Sequence, residues 1–218
     1  MAYKKRCELE KKLRTILPGA SLKEIVLPNA GDIQLFLLDE NYHYANLSNE
    51  EIKRLIEEPF FWPFCWPAGQ ILARWLFDHK DRVKGKKVLD FGSGSGVVAI
   101  ASALSGAKEV WALDSDPVAC EAIEANAMLN SVLIHVENKI EELEGEYDLI
   151  FVADVLYDHN NISSIWELLK RGKQIIIADS WLDALPEPFV KIGEGKEKTI
   201  PELGDRGEWR KVSIFIYP

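Results

Sequence analysis

Lys87-Val88-Leu89-Asp90-Phe91-Gly92-Ser93-Gly94-Ser95-Gly96-Val97-Val98-Ala99-Ile100 is the stretch that decides the fold. Val88 to Phe91 is a short apolar run carrying one acid, with charge before it and glycine after it. That pattern predicts a buried strand. Val97 to Leu104 is apolar and small, and predicts the helix that follows. A strand that turns at once into a helix presents backbone N–H groups at the helix N-terminus, and glycine lets a ligand approach that backbone. A dinucleotide fold uses G-x-G-x-x-G, whose third glycine packs the helix on the strand. Here the spacing is G-x-G-x-G. Asp90 precedes the first glycine and faces the same turn; a carboxylate there repels a pyrophosphate and suits a cationic amino-acid moiety. Glu109-Val-Trp-Ala-Leu-Asp114 predicts a second strand ending in an acid. It falls about 20 residues past the glycines, where ribose hydroxyls are bound. The expected ligand is therefore a nucleoside without a pyrophosphate, S-adenosyl-L-methionine, beside Asp90, Gly92, Ser93, Gly94 and Asp114.

The alternation of strand and helix continues. Asp116-Pro117 starts a helix running to about Asn130, an acid at the N-cap with proline in the first turn. Val132–Val136, Tyr147–Ala153 and Gln174–Ala178 read as further strands, and Ile162–Leu169 as a helix. Such a series means βαβ units and a parallel sheet, with ligands outside the carboxyl ends of the strands. Asp90, Asp114, Asp154 and Asp179 all fall at such ends. A buried acid is costly unless paired or used, so four on one edge predict an active cleft. Asn138, just past the third strand, is placed to reach an adenine edge, and taken alone reads equally well as an ordinary loop amide. Trp181 to Val190 holds at most a short helix, and Lys198–Glu202 and Lys211–Tyr217 read as an antiparallel end to the sheet.

Upstream, residues 3 to 17 read as an amphipathic helix stopped by Pro18-Gly19. Ile25–Leu27 and Ile33–Leu38 are strands split by a turn, a hairpin either outside the main domain or covering its open face. Ser48 and Glu51 form a capping box for a helix to about Glu58. Then comes Pro59-Phe-Phe-Trp-Pro-Phe-Cys-Trp66-Pro-Ala-Gly-Gln70, a rigid aromatic loop before a helix from about Gly69 to Asp78. Its rings serve either as a surface plug or as a wall of the site, where aromatic faces attract sulfonium and ammonium groups.

The totals exclude several classes. The chain of 218 residues is 47% hydrophobic and 28% charged, an ordinary balance for one large α/β domain with an addition. A net charge of −9 argues against a broad nucleic-acid footprint. The three cysteines and four histidines are scattered, without C-x-x-C or zinc-ligand spacing, so no metal site is expected. No apolar run reaches the length of a membrane span, and the N-terminus lacks a signal core, so a cytoplasmic protein is expected.

With these residues in view the chain resembles the seven-stranded class I methyltransferases. Trp66-Pro-Ala-Gly-Gln-Ile-Leu-Ala-Arg-Trp-Leu, the glycine loop and Asp154-Val-Leu-Tyr157 together are similar to the seven-β-strand protein lysine methyltransferases. Phe61-Trp-Pro-Phe-Cys-Trp-Pro-Ala-Gly-Gln and Glu202-Leu-Gly-Asp-Arg-Gly-Glu-Trp-Arg resemble the members that act on the electron-transfer flavoprotein β subunit. The resemblance implies a Rossmann-like domain over residues 59–218 behind an extension over 1–58. It implies cofactor contacts from Trp66, the Gly92–Gly94 turn, Asp114, Asn138 and Ala153, and a target amine facing Asp154 and Tyr157. It implies a protein substrate; the net charge and the lack of a span argue against nucleic acid and membrane as partners, and of the oligomeric states, which the sequence leaves open, a monomer is favoured. One departure is Asp179-Ser180-Trp181-Leu182, where bacterial relatives tend to carry Asp-Pro-Gly-Arg. Two rival expectations are a ribosomal or other protein target, and a small-molecule O-methyltransferase with Mg²⁺ on Asp154 and Asp179, for which Ser180 is a poor third ligand.

Overall fold

The computed structural model describes residues 1–43, 47–57, 59–156, 161–202 and 209–218. In chain order the elements are α1 (Ala2–Ile16), β1 (Leu22–Val26), β2 (Gln34–Leu38), α2 (Asn49–Glu57), α3 (Pro67–Asp78), β3 (Lys87–Phe91), α4 (Val97–Leu104), β4 (Glu109–Leu113) and α5 (Pro117–Leu129). There follow β5 (His135–Glu137), β6 (Leu149–Ala153), α6 (Asn161–Leu169), β7 (Ile175–Asp179), β8 (Val190–Glu197) and β9 (Arg210–Tyr217). Seven strands make one sheet in the order β5-β4-β3-β6-β7-β9-β8. The first five are parallel to their neighbours, and β9 runs antiparallel to both β7 and β8. Residues 88–91 and 149–153 are apolar enough to be buried on both faces, as strands between two helical layers must be.

The sheet's connections decide where a ligand can sit. From β3 the chain moves outward through β4 to β5, then returns to lay β6 on the other side of β3. The loops leaving β3 and β6 therefore diverge and open a crevice at the carboxyl edge. The register aligns Phe91 with Leu113 and Val152, and Ala153 with Ala178. Gly92, Asp114, Asp154 and Asp179 consequently leave the sheet along one edge.

Several boundaries differ from those read in the sequence. The third parallel strand starts at His135, because the preceding residues complete the end of α5: Ser131 has φ +56° and the Val132 amide bonds to the Ala127 carbonyl. The outer antiparallel strand is Val190–Glu197, whose glycines and charges hide it from a periodicity argument because an edge strand faces solvent. Lys198–Glu202 makes only a single bridge, Ile200 to Cys65, which ties the aromatic loop down. The α3 helix starts at Pro67, with proline in its first turn. The Ser48–Glu51 capping box forms as expected, with the Ser48 amide donating to the Glu51 carboxylate at 2.7 Å and the Glu51 amide to Ser48 Oγ at 3.3 Å.

The hairpin covers the main domain. The odd residues of β2, Leu35 and Leu37, join the core beneath α3 and α4. The even ones, Phe36 and Leu38, join a second core with α1, α5, Trp62 and Phe64. The outer edge of β2 is paired by a helix. Asn130 accepts from the Gln34 amide at 3.0 Å and donates to the Gln34 carbonyl at 2.6 Å; Asn126 accepts from the Phe36 amide at 2.8 Å. Residues four apart on a helix rise about 6 Å, close to the roughly 6.6 Å between alternate strand residues, so the two amides match the strand's spacing. Asn126 also donates to the Ser95 carbonyl at 2.8 Å, which joins the hairpin to the glycine loop.

Candidate active site

The glycine loop is closed by its own acids. The Gly92 and Ser93 amides both donate to the Leu113 carbonyl, at 2.9 and 3.1 Å. The Gly94 amide donates to Asp114 Oδ2 at 2.8 Å, and the Asp116 amide to Asp114 Oδ1 at 3.0 Å. Asp90 Oδ2 accepts from Ser93 Oγ at 2.6 Å and from the Ala99 amide, in the first turn of α4, at 3.0 Å. The expectation of open amides at this turn is corrected in part: the Leu113 carbonyl takes the Gly92 and Ser93 amides, and carboxylates take those of Gly94 and Ala99. The same arrangement rejects a second anion and leaves a site for a ligand whose charge is positive.

Behind the loop lies a cavity of about 670 Å³. Trp66, Asp90, Gly92, Ser93, Gly94, Asp114, Asn138, Ala153 and Asp154 all line it, so the described candidates from sequence converge on one space. Its charged lining comprises Asp90, Asp114, Asp116, Glu141 and Asp154 against Lys139 alone, a strongly acidic wall. The Trp66 ring is fixed by Nε1 donating to the Phe61 carbonyl at 3.1 Å and by edge contacts to Phe61 and Phe64 at 5.7 and 5.8 Å. Gly94 has φ +54° and nothing within 4 Å of where a Cβ would stand, so it leaves open space at the cavity wall. Tyr157 lies outside the described residues.

Asp154 ties three elements together. It leaves β6 with φ +51°, a conformation that aspartate tolerates better than most residues. Its Oδ2 accepts from the Ala68 amide, at the start of α3, at 2.8 Å. Its Oδ1 accepts from the Ser180 amide at 2.9 Å and from Ser180 Oγ at 2.7 Å. Burial pushes the Asp154 carboxyl above the usual range, while the Ser180 hydroxyl and the two amides pull the other way. A carboxylate has about four acceptor positions, so three are filled and one remains. Asp179 next door accepts from the Trp181 and Leu182 amides at 2.7 and 3.0 Å, and burial raises its carboxyl too. Among the described residues no cluster of His, Cys, Asp and Glu could hold a metal ion. None of their helices is long and apolar enough to cross a membrane.

Burial pushes the Asp90 carboxyl up to about 7, against the opposing pull of Ser93 and the Ala99 amide. The unfolded chain ionises this group near 3.9. Between those values the folded state holds more protons, so stability falls as pH rises from about 4 to 7. Over that whole interval Asp90 accounts for at most about 4 kcal/mol of the fall. Asp90→Asn keeps one oxygen for both donors and removes the titration. Urea denaturation of the ligand-free protein from pH 4 to 8 is expected to show a shallower slope for the variant; equal slopes would refute the assignment.

Several lining residues belong to motifs read in the sequence without being singled out in them. Phe61, Gly69 and Ser95 reach the cavity through the aromatic loop, α3 and the glycine turn, and Val155 through the turn after β6. Trp181 also lines it. Its only signal was its place in the unusual turn after β7.

The ribosomal protein L11 methyltransferase (PrmA) family model matches residues 74–185. The electron-transfer flavoprotein β subunit lysine methyltransferase of Rattus norvegicus is 39% identical over 127 residues, covering 55% of this chain and 50% of the relative. The Danio rerio protein of the same description is 35% identical over 173 residues, covering 68% of this chain and 67% of the relative. The chain thus spans about half the length of the rat protein. The crystal structure of ribosomal protein L11 methylase from Lactobacillus delbrueckii subsp. bulgaricus superposes with a TM-score of 0.50 at 25% identity, over 68% of this chain and 79% of that one.

Proposed function

The chain belongs to the ribosomal protein L11 methyltransferase (PrmA) family, and from that footing we propose that it is an S-adenosyl-L-methionine-dependent protein N-lysine methyltransferase acting on the electron-transfer flavoprotein β subunit. The observation that carries this reading is the acid-lined cavity: its loop amides are taken up by Asp114 and the Leu113 carbonyl, and Asp154 stands at the end of the neighbouring strand. The residues present fit the cofactor. Gly94 leaves room at the wall, Asp90 and the other acids suit its ammonium and sulfonium, and Asp114 retains acceptor positions for ribose hydroxyls. Trp66 supplies an aromatic face, and Asn138 and Ala153 complete the wall.

Bound there, S-adenosyl-L-methionine supplies a methyl group that passes to an amine nitrogen as the carbon–sulfur bond breaks toward sulfur. The protein's part is chiefly positioning. A lysine amine has a pKa near 10.4, so about one in a few thousand is neutral at pH 7, a cost of roughly 4–5 kcal/mol. The remaining acceptor position of Asp154 takes an N–H of that amine and turns its lone pair toward the methyl carbon. The role proposed for Tyr157 is chemical: an aromatic ring favours the growing ammonium. Asp154 remains a weaker base than the amine, so water carries the proton away. We place the reaction in the cytoplasm, in a monomer.

The test is label transfer. The purified chain is incubated with tritiated S-adenosyl-L-methionine and a lysate of its source organism, and labelled proteins are identified by mass spectrometry. The expected result is label on lysine of the flavoprotein β subunit. The family model favours one second reading, a ribosomal protein as acceptor; label there keeps the chemistry and replaces the target. Label confined to small molecules would overturn the protein-methylation reading.

A further inference from the structure

Trp181 is 61% exposed, yet it lines the cavity, while its neighbour Leu182 packs against the core. A ring so exposed buries little apolar surface on folding. The Trp181 backbone is nevertheless held firmly. The Trp181 and Leu182 amides donate to Asp179 Oδ1, and Ser180 donates twice to Asp154 Oδ1. The Arg210 guanidinium, from β9, sits 4.5 Å from the centre of the Trp181 ring and stacks on one face of it. An exposed aromatic ring is thus fixed in place at the rim, one residue from the serine that anchors the candidate catalytic acid. Exposed aromatic side chains held on a rigid support are the residues that dominate recognition, because little entropy is lost when a partner covers them.

We propose that Trp181 is the acceptor-selecting wall of the site: the methylene stem of the incoming lysine lies against the indole, with Arg210 holding the ring from behind, and its amine reaches Asp154. The inference rests on the lysine methyltransferase reading above and deepens it. A long apolar stem with a polar tip matches an apolar ring at the mouth and a carboxylate at the bottom. The inference also separates the roles of two tryptophans. Trp66 has its N–H committed to the Phe61 carbonyl and belongs to the cofactor wall, whereas Trp181 belongs to the acceptor.

The experiment compares wild type, Trp181→Ala and Trp181→Phe. Initial rates of tritium transfer to lysine are measured over a dilution series of the lysate proteins. The dissociation constant for S-adenosylhomocysteine is measured by calorimetry in parallel. Trp181→Ala is expected to raise the apparent KM for the protein acceptor at least tenfold while leaving the S-adenosylhomocysteine constant within twofold. Trp181→Phe should recover most of the loss, since the ring rather than the N–H does the work. An unchanged acceptor KM in Trp181→Ala, or a parallel loss of S-adenosylhomocysteine affinity, would overturn the inference while leaving the methyltransferase reading intact. A wild type that binds S-adenosylhomocysteine but labels no lysine would overturn both.

Discussion

Asp154→Asn is expected to lower turnover by about a thousandfold, within the range for loss of a positioned acid–base group, while cofactor affinity changes less than tenfold. Asparagine is the informative substitution because it keeps the φ of +51° accessible and preserves the side-chain volume. It cannot preserve the hydrogen bonds. Asp154 presents acceptors on both sides, to Ala68 on one and to Ser180 on the other. An amide puts an NH₂ group against one of those donors, so one interaction turns repulsive whichever way it flips. Asp154→Ala leaves the Ala68 amide, the Ser180 amide and the Ser180 hydroxyl unpaired and should cost about 2–4 kcal/mol of stability as well. Steady-state kinetics, cofactor titration and urea denaturation on both variants separate these effects. A carboxylate whose sole duty is to cap α3 would give a stability loss with residual turnover in the surviving folded protein. Turnover within tenfold of wild type in folded Asp154→Asn would remove Asp154 from the chemistry.

That dual duty explains why the site was only partly legible in the sequence. The strands β3, β4, β6 and β7 declare themselves through short apolar runs that end in acids, and those ends fixed the edge on which the site lies. The residues that set the chemistry of each acid are remote. Ala68 is 86 residues from Asp154 and Ser180 is 26 away, so neither spacing nor periodicity connects them. Asn126 shows the same limit: along α5 it is one polar residue among alanines, yet it joins Phe36 to Ser95, 90 and 31 residues away. The sequence predicts backbone amides presented at the glycine turn, and nothing in G-x-G-x-G says that Asp114 will occupy one of them. Strand β8 escaped for a different reason. Its residues alternate charge with glycine, and its place at the sheet's edge relieves it of the apolar pattern by which buried strands are recognised.

Gly92→Ala is expected to destabilise the protein by about 2–4 kcal/mol and to abolish measurable turnover, through a contact that lies across the sheet edge. Two penalties add at this position. Gly92 has φ +68°, a conformation that costs a residue with a Cβ roughly 1–2 kcal/mol. A Cβ there would also stand 2.5 Å from Val155 Cγ2, far inside contact distance. Val155 is nearly buried and follows Asp154 directly, so displacing it moves the acid relative to both Ala68 and Ser180. The steric penalty is removable and the backbone penalty is not. Adding Val155→Ala to Gly92→Ala should therefore recover part of the loss, with a coupling of at least about 1 kcal/mol in a double-mutant cycle. Gly94→Ala is the contrasting case: with φ +54° and nothing within 4 Å of its Cβ position, it incurs the backbone penalty alone, and its methyl group occupies space at the cavity wall. It should lose cofactor affinity with a smaller loss of stability, and Val155→Ala should not restore it. Rescue of both glycine variants by Val155→Ala, or of neither, would show that the glycine loop and the Asp154 turn are not held in register through the Gly92–Val155 contact.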